Sequence, residues 1–168
     1  FNEPRIRLER YHNNGVIASS RNLGIKLSNA KYIAFLDSDD WWMDHKLEFS
    51  IKLLNRGADV IYHDLIIVSK KNQKLFFRKT PSRELLSPVH NDLLKKGCVL
   101  TTSSIVVRKN VLTDIGGLPE DPEMGTWCDY FGWLHIAKQT DKFVRLPGTF
   151  GYYWSGGGNY TTPERTIK

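Results

Sequence analysis

Three aspartates, Asp37, Asp39 and Asp40, follow directly after the apolar run YIAFL and precede two tryptophans. Neighbouring carboxylates repel one another, so such a cluster costs stability unless a cation or solvent relieves the repulsion. Carboxylate oxygens are the ligands that Mg²⁺ and Mn²⁺ prefer, and either ion can in turn hold a diphosphate. The cluster therefore predicts half of a metal–phosphate site, with a simple turn or helix N-cap as the alternative interpretation.

The elements around this cluster suit such a site. The run YIAFLD is typical of a buried parallel strand, and residues 15–30 before it have the spacing of a helix. Ligands of open α/β sheets bind at the carboxyl ends of strands. We therefore expect the acids from Asp37 to Asp40 to lie at a ligand-binding edge.

The rest of the chain alternates between short β-rich runs and helical segments, which predicts one α/β domain over residues 1–168. Residues 43–57 predict a helix with Asp44 as N-cap and with Leu47, Ile51 and Leu54 on one face. We expect further strands at 59–69, 74–79 and 103–108, edge strands at 143–147 and 150–154, and helices that end at Gly97 or cover 109–115 and 128–138.

Composition narrows the class of protein. The formal charge of +6 comes from scattered basic residues that form no stripe and no recognisable nucleic-acid motif, so we expect no nucleic-acid partner. Two cysteines are too few for a disulfide framework. No apolar run is long enough for a membrane span, and no signal-peptide pattern is present. We expect a soluble protein in a reducing compartment.

Four segments follow one another along the chain: GVIASSRNLGI, YIAFLDSDDWW, TTSSIVVRKNVLTDIGGLPED and CDYFGW. In this order they resemble segments of the family 2 glycosyltransferases of the GT-A fold. GVIASSRNLGI is similar to the family's G-x-x-x-A-R-N-x-G segment, and YIAFLDSDDWW to its F-L-D-x-D-D. TTSSIVVRKNVLTDIGGLPED resembles its strand–helix–GG segment, and CDYFGW resembles its E-D-Y-x-x-W. The resemblance implies a GT-A, Rossmann-like α/β sheet flanked by helices.

The resemblance also implies how the donor is bound. Asp37 would hold the ribose or sugar side of a nucleotide-sugar, and Asp39 would ligate the Mn²⁺ or Mg²⁺ ion that bridges the donor phosphates. Asp40 would support both acids from behind. Arg21 would approach the donor, with a surface ion pair as the alternative interpretation.

For the acceptor, the resemblance implies that Asp129 is the general base, which takes the proton from the attacking hydroxyl as the anomeric carbon inverts. The alternative for Asp129 is a helix N-cap. Trp127 and Tyr130 flank it and are the candidates for lining the acceptor site. Cys128 stands where the family usually has an acid and His135 where it often has Arg.

The implied substrates are a nucleotide-sugar donor, with a UDP-sugar as first choice, and a glycan or lipid-linked acceptor. The implied location is cytoplasmic, in peripheral contact with a membrane. Nothing before RIRLERYHNNG matches the strand–helix–strand region that opens the family, so we expect the first β-α units to be absent and exposed sheet edges to favour self-association. An inactive sugar- or protein-binding module and a metal-dependent nucleotidyltransferase-like enzyme are the alternative functions.

Overall fold

A computed structural model of the chain describes residues 3–69, 78–80 and 82–156. Within them the strands form one sheet in the order β1-β4-β3-β5-β2. The strands are β1 Tyr32–Ala34, β2 Trp41–Trp42, β3 Val60–Val68, β4 Val106–Arg108 and β5 Phe143–Trp154. The helices are α1 Ile17–Leu27, α2 Lys46–Asn55, α3 Val89–Lys96, α4 Lys109–Asp114 and α5 Cys128–Ala137, with short 3₁₀ turns at Thr102–Ser104 and Pro122–Trp127.

The sequence predicted that β1 is a buried parallel strand, and the structure differs from this prediction. Strand β1 is only three residues long and half-buried, and it pairs antiparallel with β4, where Ile33 lies opposite Val107. Strand β4 also pairs antiparallel with β3, and β3 runs parallel to β5. Because β1 is last in the strand order, its second edge has no partner strand among the described residues, which explains its partial exposure.

Strand β5 also differs from the prediction, because the two expected edge strands are one continuous strand that lies between β3 and β2. The pairing with β3 passes from Tyr62 opposite Arg145 to Asp64 opposite Thr149. The extra residues of β5, which include Pro147 and Gly148, are accommodated by this register shift. A bulge is where a sheet tolerates proline and a glycine with positive φ, here +116°.

Helices α1, α3, α4 and α5 confirm the sequence prediction, and α3 ends before Gly97 at a φ of +78°. Helix α2 begins later than predicted. Its N-cap position is held by His45 in the left-handed conformation, and no side chain caps it. The prediction of Asp44 as N-cap is therefore wrong. The strand predicted at 74–79 lies outside the described residues except for Arg78 and Lys79, which pair with β3.

The buried face of α2 is not the predicted one. Leu54 is fully buried, but Leu47 and Ile51 are 41% and 39% exposed. Lys46 and Ser50 are buried instead. The helix is thus rotated so that a polar strip faces the sheet, which the apolar spacing of the sequence does not indicate.

Helices cover both faces of the sheet, as expected for an α/β fold. On one face, Val60 and Tyr62 of β3 pack with residues of α1, α3, α4 and α5 around the buried Trp133. On the other face, Ile61 packs with Leu54 of α2. None of the helices in the described ranges is long and apolar enough to cross a membrane.

The close approach of β5 to β2 generates a stability prediction. A Cβ added at Gly151 would lie 2.8 Å from the backbone oxygen of Trp41 and 2.9 Å from Cδ2 of Leu65, so a strand would have to shift. We expect Gly151→Ala to lower the free energy of unfolding by about 1–3 kcal/mol in chemical denaturation. Gly24→Ala in α1 is the matched control, because nothing lies within 4 Å of its new methyl group.

The control should be neutral or gain up to about 1 kcal/mol, since alanine is a better helix former than glycine. Equal effects of the two substitutions would contradict the close approach at Gly151.

Candidate active site

The loop after β1 carries Asp37, which is held at two points. Its backbone N–H donates a 3.0 Å hydrogen bond to the hydroxyl of Ser103, in the 3₁₀ turn that precedes β4. Its carboxylate accepts a 2.6 Å bond from Nη2 of Arg21. Both contacts come from segments distant in sequence, so the position of Asp37 depends on the tertiary fold.

Arg21, on α1, joins the two predicted halves of the site. Its Nη2 pairs with Asp37, and its Nη1 pairs with Oδ1 of Asp129 at the start of α5. The side chain of Arg21 is only 16% exposed. Burial alone would lower the pKa of Arg21, but the two carboxylates outweigh burial and hold that pKa above its usual value. Arg21 thus forms ion pairs, as the alternative interpretation expected, but with two carboxylates of the site in a partly buried position. Its approach to the donor stays a prediction.

Asp129 lies in the first turn of α5, but its carboxylate bonds side chains. Oδ1 pairs with Arg21, and Oδ2 accepts a hydrogen bond from the hydroxyl of Thr102. The thiol of Cys128 lies 3.5 Å from Oδ1, and burial, followed by this carboxylate, raises the pKa of Cys128 to about 11. The residue at the N-cap position of α5 is Trp127. The contacts of Asp129 thus orient its carboxylate within the site.

Sequence reasoning missed Thr102 and Ser103, which hold Asp129 and Asp37 respectively. The three residues of this turn, Thr102 to Ser104, are 0–6% exposed. The available signal was the run TTSS directly before the apolar IVV, because hydroxyl groups that enter a core need hydrogen-bond partners. We name this segment, Thr102–Ser104, the hydroxyl turn.

Asp39 and Asp40 lie in different environments. Asp39 is exposed, and its carboxylate makes no ion pair or hydrogen bond within the described residues. Asp40 is 8% exposed, and its Oδ1 accepts a 2.9 Å bond from the backbone N–H of Trp154 at the end of β5. Its Oδ2 is buried without a partner among the described residues. Burial raises the pKa of Asp40. Asp40 thus ties the acidic loop to the sheet.

The two aromatic candidates for the acceptor site pack against each other. The rings of Trp127 and Tyr130 meet edge to face with centroids 6.2 Å apart. Tyr130 donates its hydroxyl to the carbonyl of Leu93 and packs on the core. Trp127 is 45% exposed and lies two positions before Asp129 in the sequence. Trp127 is therefore partly accessible to a ligand, and the acceptor role of both residues stays a prediction.

The carboxylates suit a metal ion that is shared with a phosphate. In the described part of the chain, no three His, Cys, Asp or Glu side chains are grouped as a complete metal centre. Mg²⁺ sites of this kind need only one or two carboxylates, with substrate phosphates and water as the remaining ligands. Asp39 has no ion-pair partner among the residues that the structure describes, and Asp37 has one oxygen bonded to Arg21. The donor set fits such a shared site.

A buried lysine, Lys46, contacts the hydroxyl turn. Nζ of Lys46 lies 3.6 Å from the ring centroid of Trp42 and donates a 3.3 Å bond to the carbonyl of Ser103, which also accepts from the Trp42 indole at 2.7 Å. Burial lowers the pKa of Lys46 to about 7. Burial also lowers the pKa of nearby His63 to about 4, and its Nε2 has no partner among the described residues. The hydroxyl turn is therefore in contact with a buried lysine that has no carboxylate partner within the described residues.

The chain matches a known protein family over more than half of its length. The family model described as "Glycosyl transferase family 2" matches residues 2–116. The matched region includes Arg21 and the acids from Asp37 to Asp40, and it ends before Asp129. The family that the sequence resemblance indicated is therefore confirmed, while the role of Asp129 stays a prediction.

Curated relatives are also glycosyltransferases. The UDP-Glc:alpha-D-GlcNAc-diphosphoundecaprenol beta-1,3-glucosyltransferase WfgD of Escherichia coli is 28% identical over 142 residues, which cover 84% of this chain and 52% of WfgD. An uncharacterized glycosyltransferase of Rickettsia prowazekii is 27% identical over 181 residues, which cover 94% of this chain and 56% of that protein. The chain spans about half the length of these relatives.

Solved structures share the fold. The structure of S. aureus TarS 1-349 in complex with UDP-GlcNAc matches with a TM-score of 0.64 at 18% identity, over 92% of this chain and 42% of that chain. The complex of the same protein with UDP matches with a TM-score of 0.61 over 90% of this chain and 42% of that chain. The predicted GT-A fold is confirmed.

The buried Lys46 generates a prediction about pH. Its pKa is about 7 in the folded protein and about 10.5 in an unfolded chain. Between pH 7 and 10.5 the unfolded chain binds more protons than the folded protein. The free energy of unfolding therefore increases as the pH is raised from about 7 to about 10.5. Lys46→Met removes this dependence. We expect its advantage over wild type to be largest near pH 7 and smallest near pH 10.

Guanidinium denaturation across this pH range measures the effect. Lys52→Met is the matched control, because Lys52 lies on the same helix with an exposed side chain. The control should follow the wild-type pH profile. A Lys46→Met profile with the wild-type slope would show that Lys46 is not the titrating group.

Proposed function

Because this chain belongs to glycosyl transferase family 2, we propose that it forms the catalytic region of an inverting, metal-dependent glycosyltransferase with a nucleotide-diphosphate-sugar donor. A UDP-sugar is the favoured donor. The E. coli relative is named for UDP-Glc, and the matching TarS structures hold UDP and UDP-GlcNAc.

The observation that carries the proposal is the double ion pair of Arg21. A transfer reaction requires the donor sugar and the acceptor hydroxyl to meet in one place with a base beside the hydroxyl. Asp37 is the proposed ligand of the donor, and Asp129 is the proposed base. The two lie 92 residues apart in sequence and are bonded to the two terminal nitrogens of one guanidinium. A donor bound at Asp37 would therefore lie next to Asp129.

In the proposed reaction, a carboxylate oxygen of Asp129 takes the proton of the acceptor hydroxyl. The hydroxyl oxygen forms a bond to the anomeric carbon, and the bond from that carbon to the phosphate oxygen breaks. The electron pair of the broken bond leaves with the nucleoside diphosphate, and attack from the opposite face inverts the configuration. Arg21 and Thr102 keep the carboxylate of Asp129 oriented, which favours a fixed direction of proton transfer.

Asp39, with Asp37 beside it, would hold a divalent metal ion together with the donor phosphates. Mn²⁺ or Mg²⁺ at this position would offset the charge that develops on the leaving diphosphate. The carboxylate of Asp39, which is exposed and unpaired within the described part of the chain, supports this assignment. The buried Asp40 would fix the loop from behind through its bond to the N–H of Trp154.

The proposed acceptor is a hydroxyl of a glycan or of a lipid-linked sugar. Trp127 is 45% exposed and lies two positions before Asp129 in the sequence, and an aromatic ring of this kind can stack on a sugar. The name of the E. coli relative includes a diphosphoundecaprenol acceptor. A lipid-linked acceptor would place the protein at the cytoplasmic face of a membrane in peripheral contact.

The metal assignment is tested with Asp39→Asn in the intact protein. The amide keeps the shape of the side chain but loses the charge that a hard cation requires. We expect Mn²⁺-dependent binding of UDP to be lost in calorimetry while thermal stability is unchanged, since the removal of a repelling acid should not destabilise the fold. Asp44→Asn, at another exposed acid a few residues downstream, is the control and should bind UDP like wild type. Unchanged Mn²⁺-dependent affinity in Asp39→Asn would refute the assignment.

The base is tested with Asp129→Asn. Asn can still accept from Arg21 and contact Thr102, so the site should keep its shape and its affinity for the donor. Transfer of labelled sugar should fall on the order of 10²-fold or more, the range expected for loss of a general base. Asp121→Asn is the control, because Asp121 caps a nearby 3₁₀ turn and Asn caps almost as well. Near-normal transfer by Asp129→Asn would remove Asp129 from the mechanism.

A further inference from the structure

A basic cleft lies at the end of the sheet opposite to the acidic loop. Its volume is about 720 Å³, and its lining residues are Lys31, Gly57, Asp59, Arg108, Lys109, Asn110, Thr113 and Lys142. Lys31, Asp59 and Lys142 come directly before β1, β3 and β5, which run in the same direction. Arg108 ends the antiparallel strand β4. The acids from Asp37 to Asp40 lie beyond the other end of β1.

Arg108, one of the cations of the cleft, stabilises the fold. Arg108 forms a 3.0 Å ion pair with Asp59 and donates to the carbonyls of Ala58 and Leu54. Asp59 also accepts a 2.7 Å bond from the hydroxyl of Thr140. The single carboxylate of the cleft is therefore already neutralised, and Arg108 holds the turn between α2 and β3.

The other three cations of the cleft are lysines with no carboxylate partner in the ranges that the structure describes. Lys31, Lys109 and Lys142 form no ion pair within the described part of the chain. Lys109 donates to the carbonyl of Ser28, and Nζ of Lys31 lies 5.3 Å from the ring centroid of Tyr32, so neither contact removes charge. Like charges around one concavity repel, as the acids do at the other end of the sheet. An anionic ligand would relieve this repulsion.

We propose that this cleft binds a phosphate group at a site separate from the donor site. Lysine ammonium groups bind phosphate as point charges. Three lysines, Lys31, Lys109 and Lys142, line this cleft. Asn110 and Thr113 add polar side chains to the rim. The volume lies within the roughly 300–1,000 Å³ that is usual for small-molecule sites. The phosphate belongs to a free phosphorylated molecule or to a phospholipid head group.

The test uses the double variant Lys31→Gln, Lys142→Gln in the intact protein. Both side chains are exposed, and neither ammonium group has a hydrogen-bond partner among the described residues, so the fold should be unaffected. The matched control is Lys26→Gln, Lys138→Gln, which removes two exposed lysines that lie outside the cleft. The net charge of the two variants is the same. A difference in probe binding between the two variants therefore depends on the positions of the lysines and not on the total charge.

Two probes distinguish the sources of the phosphate. Calorimetry with pyrophosphate tests a free ligand, and co-sedimentation with phosphatidylglycerol vesicles, against phosphatidylcholine vesicles, tests a head group. We expect wild type and the control to bind one of these probes. The affinity of the cleft variant for the same probe should be lower by a factor of about ten or more. Binding should weaken with salt. Affinity for UDP with Mn²⁺ should be unchanged, because the cleft is separate from the donor site.

Binding of pyrophosphate would assign the cleft to free phosphorylated molecules, and binding of anionic vesicles alone would assign it to head groups. The proposal is overturned if wild type binds neither probe, or if the cleft variant and the control bind equally well. Either result is independent of sugar transfer, so it leaves the proposed function untouched.

Discussion

The double ion pair of Arg21 is the contact on which the candidate active site depends. Its guanidinium joins α1, the loop after β1 and the start of α5 through Asp37 and Asp129. Two carboxylates so close to one cation would repel each other without it. Because the guanidinium is planar with fixed donors, it sets the direction of both carboxylates as well as their separation. The same contact therefore supplies charge balance and geometry.

The hydroxyl turn is the second segment that holds the two carboxylates of the site in place. Thr102 holds Asp129, and Ser103 holds the backbone of Asp37. The carbonyl of Ser103 in turn accepts from Trp42 and Lys46. A buried ammonium group without a carboxylate is costly, since desolvation favours the neutral amine. Burial of Lys46 therefore lowers the free energy of unfolding relative to an apolar side chain at the same position. Such a loss of stability is common at functional sites.

The sheet is electrically polar along its strands. Acids gather at the carboxyl end of β1, and lysines gather at the other end around the basic cleft. The two proposals follow from the same reasoning, because each cluster of like charge calls for a ligand of opposite charge. For the acids that ligand is a cation shared with the donor phosphates, and for Lys31, Lys109 and Lys142 it is a phosphate.

The sequence by itself determined the fold class, the family, most helices and the acidic loop after β1. These features depend on local signals: apolar periodicity, a glycine such as Gly97 at a helix end, and the order of four short segments. The sequence also pointed to Arg21 and Asp129, but only as separate residues. Their pairing could not be derived from it, because ion pairs between distant segments are formed by packing.

Only the tertiary structure decided which face of α2 is buried, how β5 runs and what holds the acids. The apolar spacing favoured Leu47 and Ile51, yet these side chains are exposed and Lys46 is buried, because the carbonyl of Ser103 and the ring of Trp42 provide its partners. Strand β5 is continuous because its register shift with β3 absorbs Pro147. Such outcomes depend on partners far away in sequence, and local propensity carries no information about them.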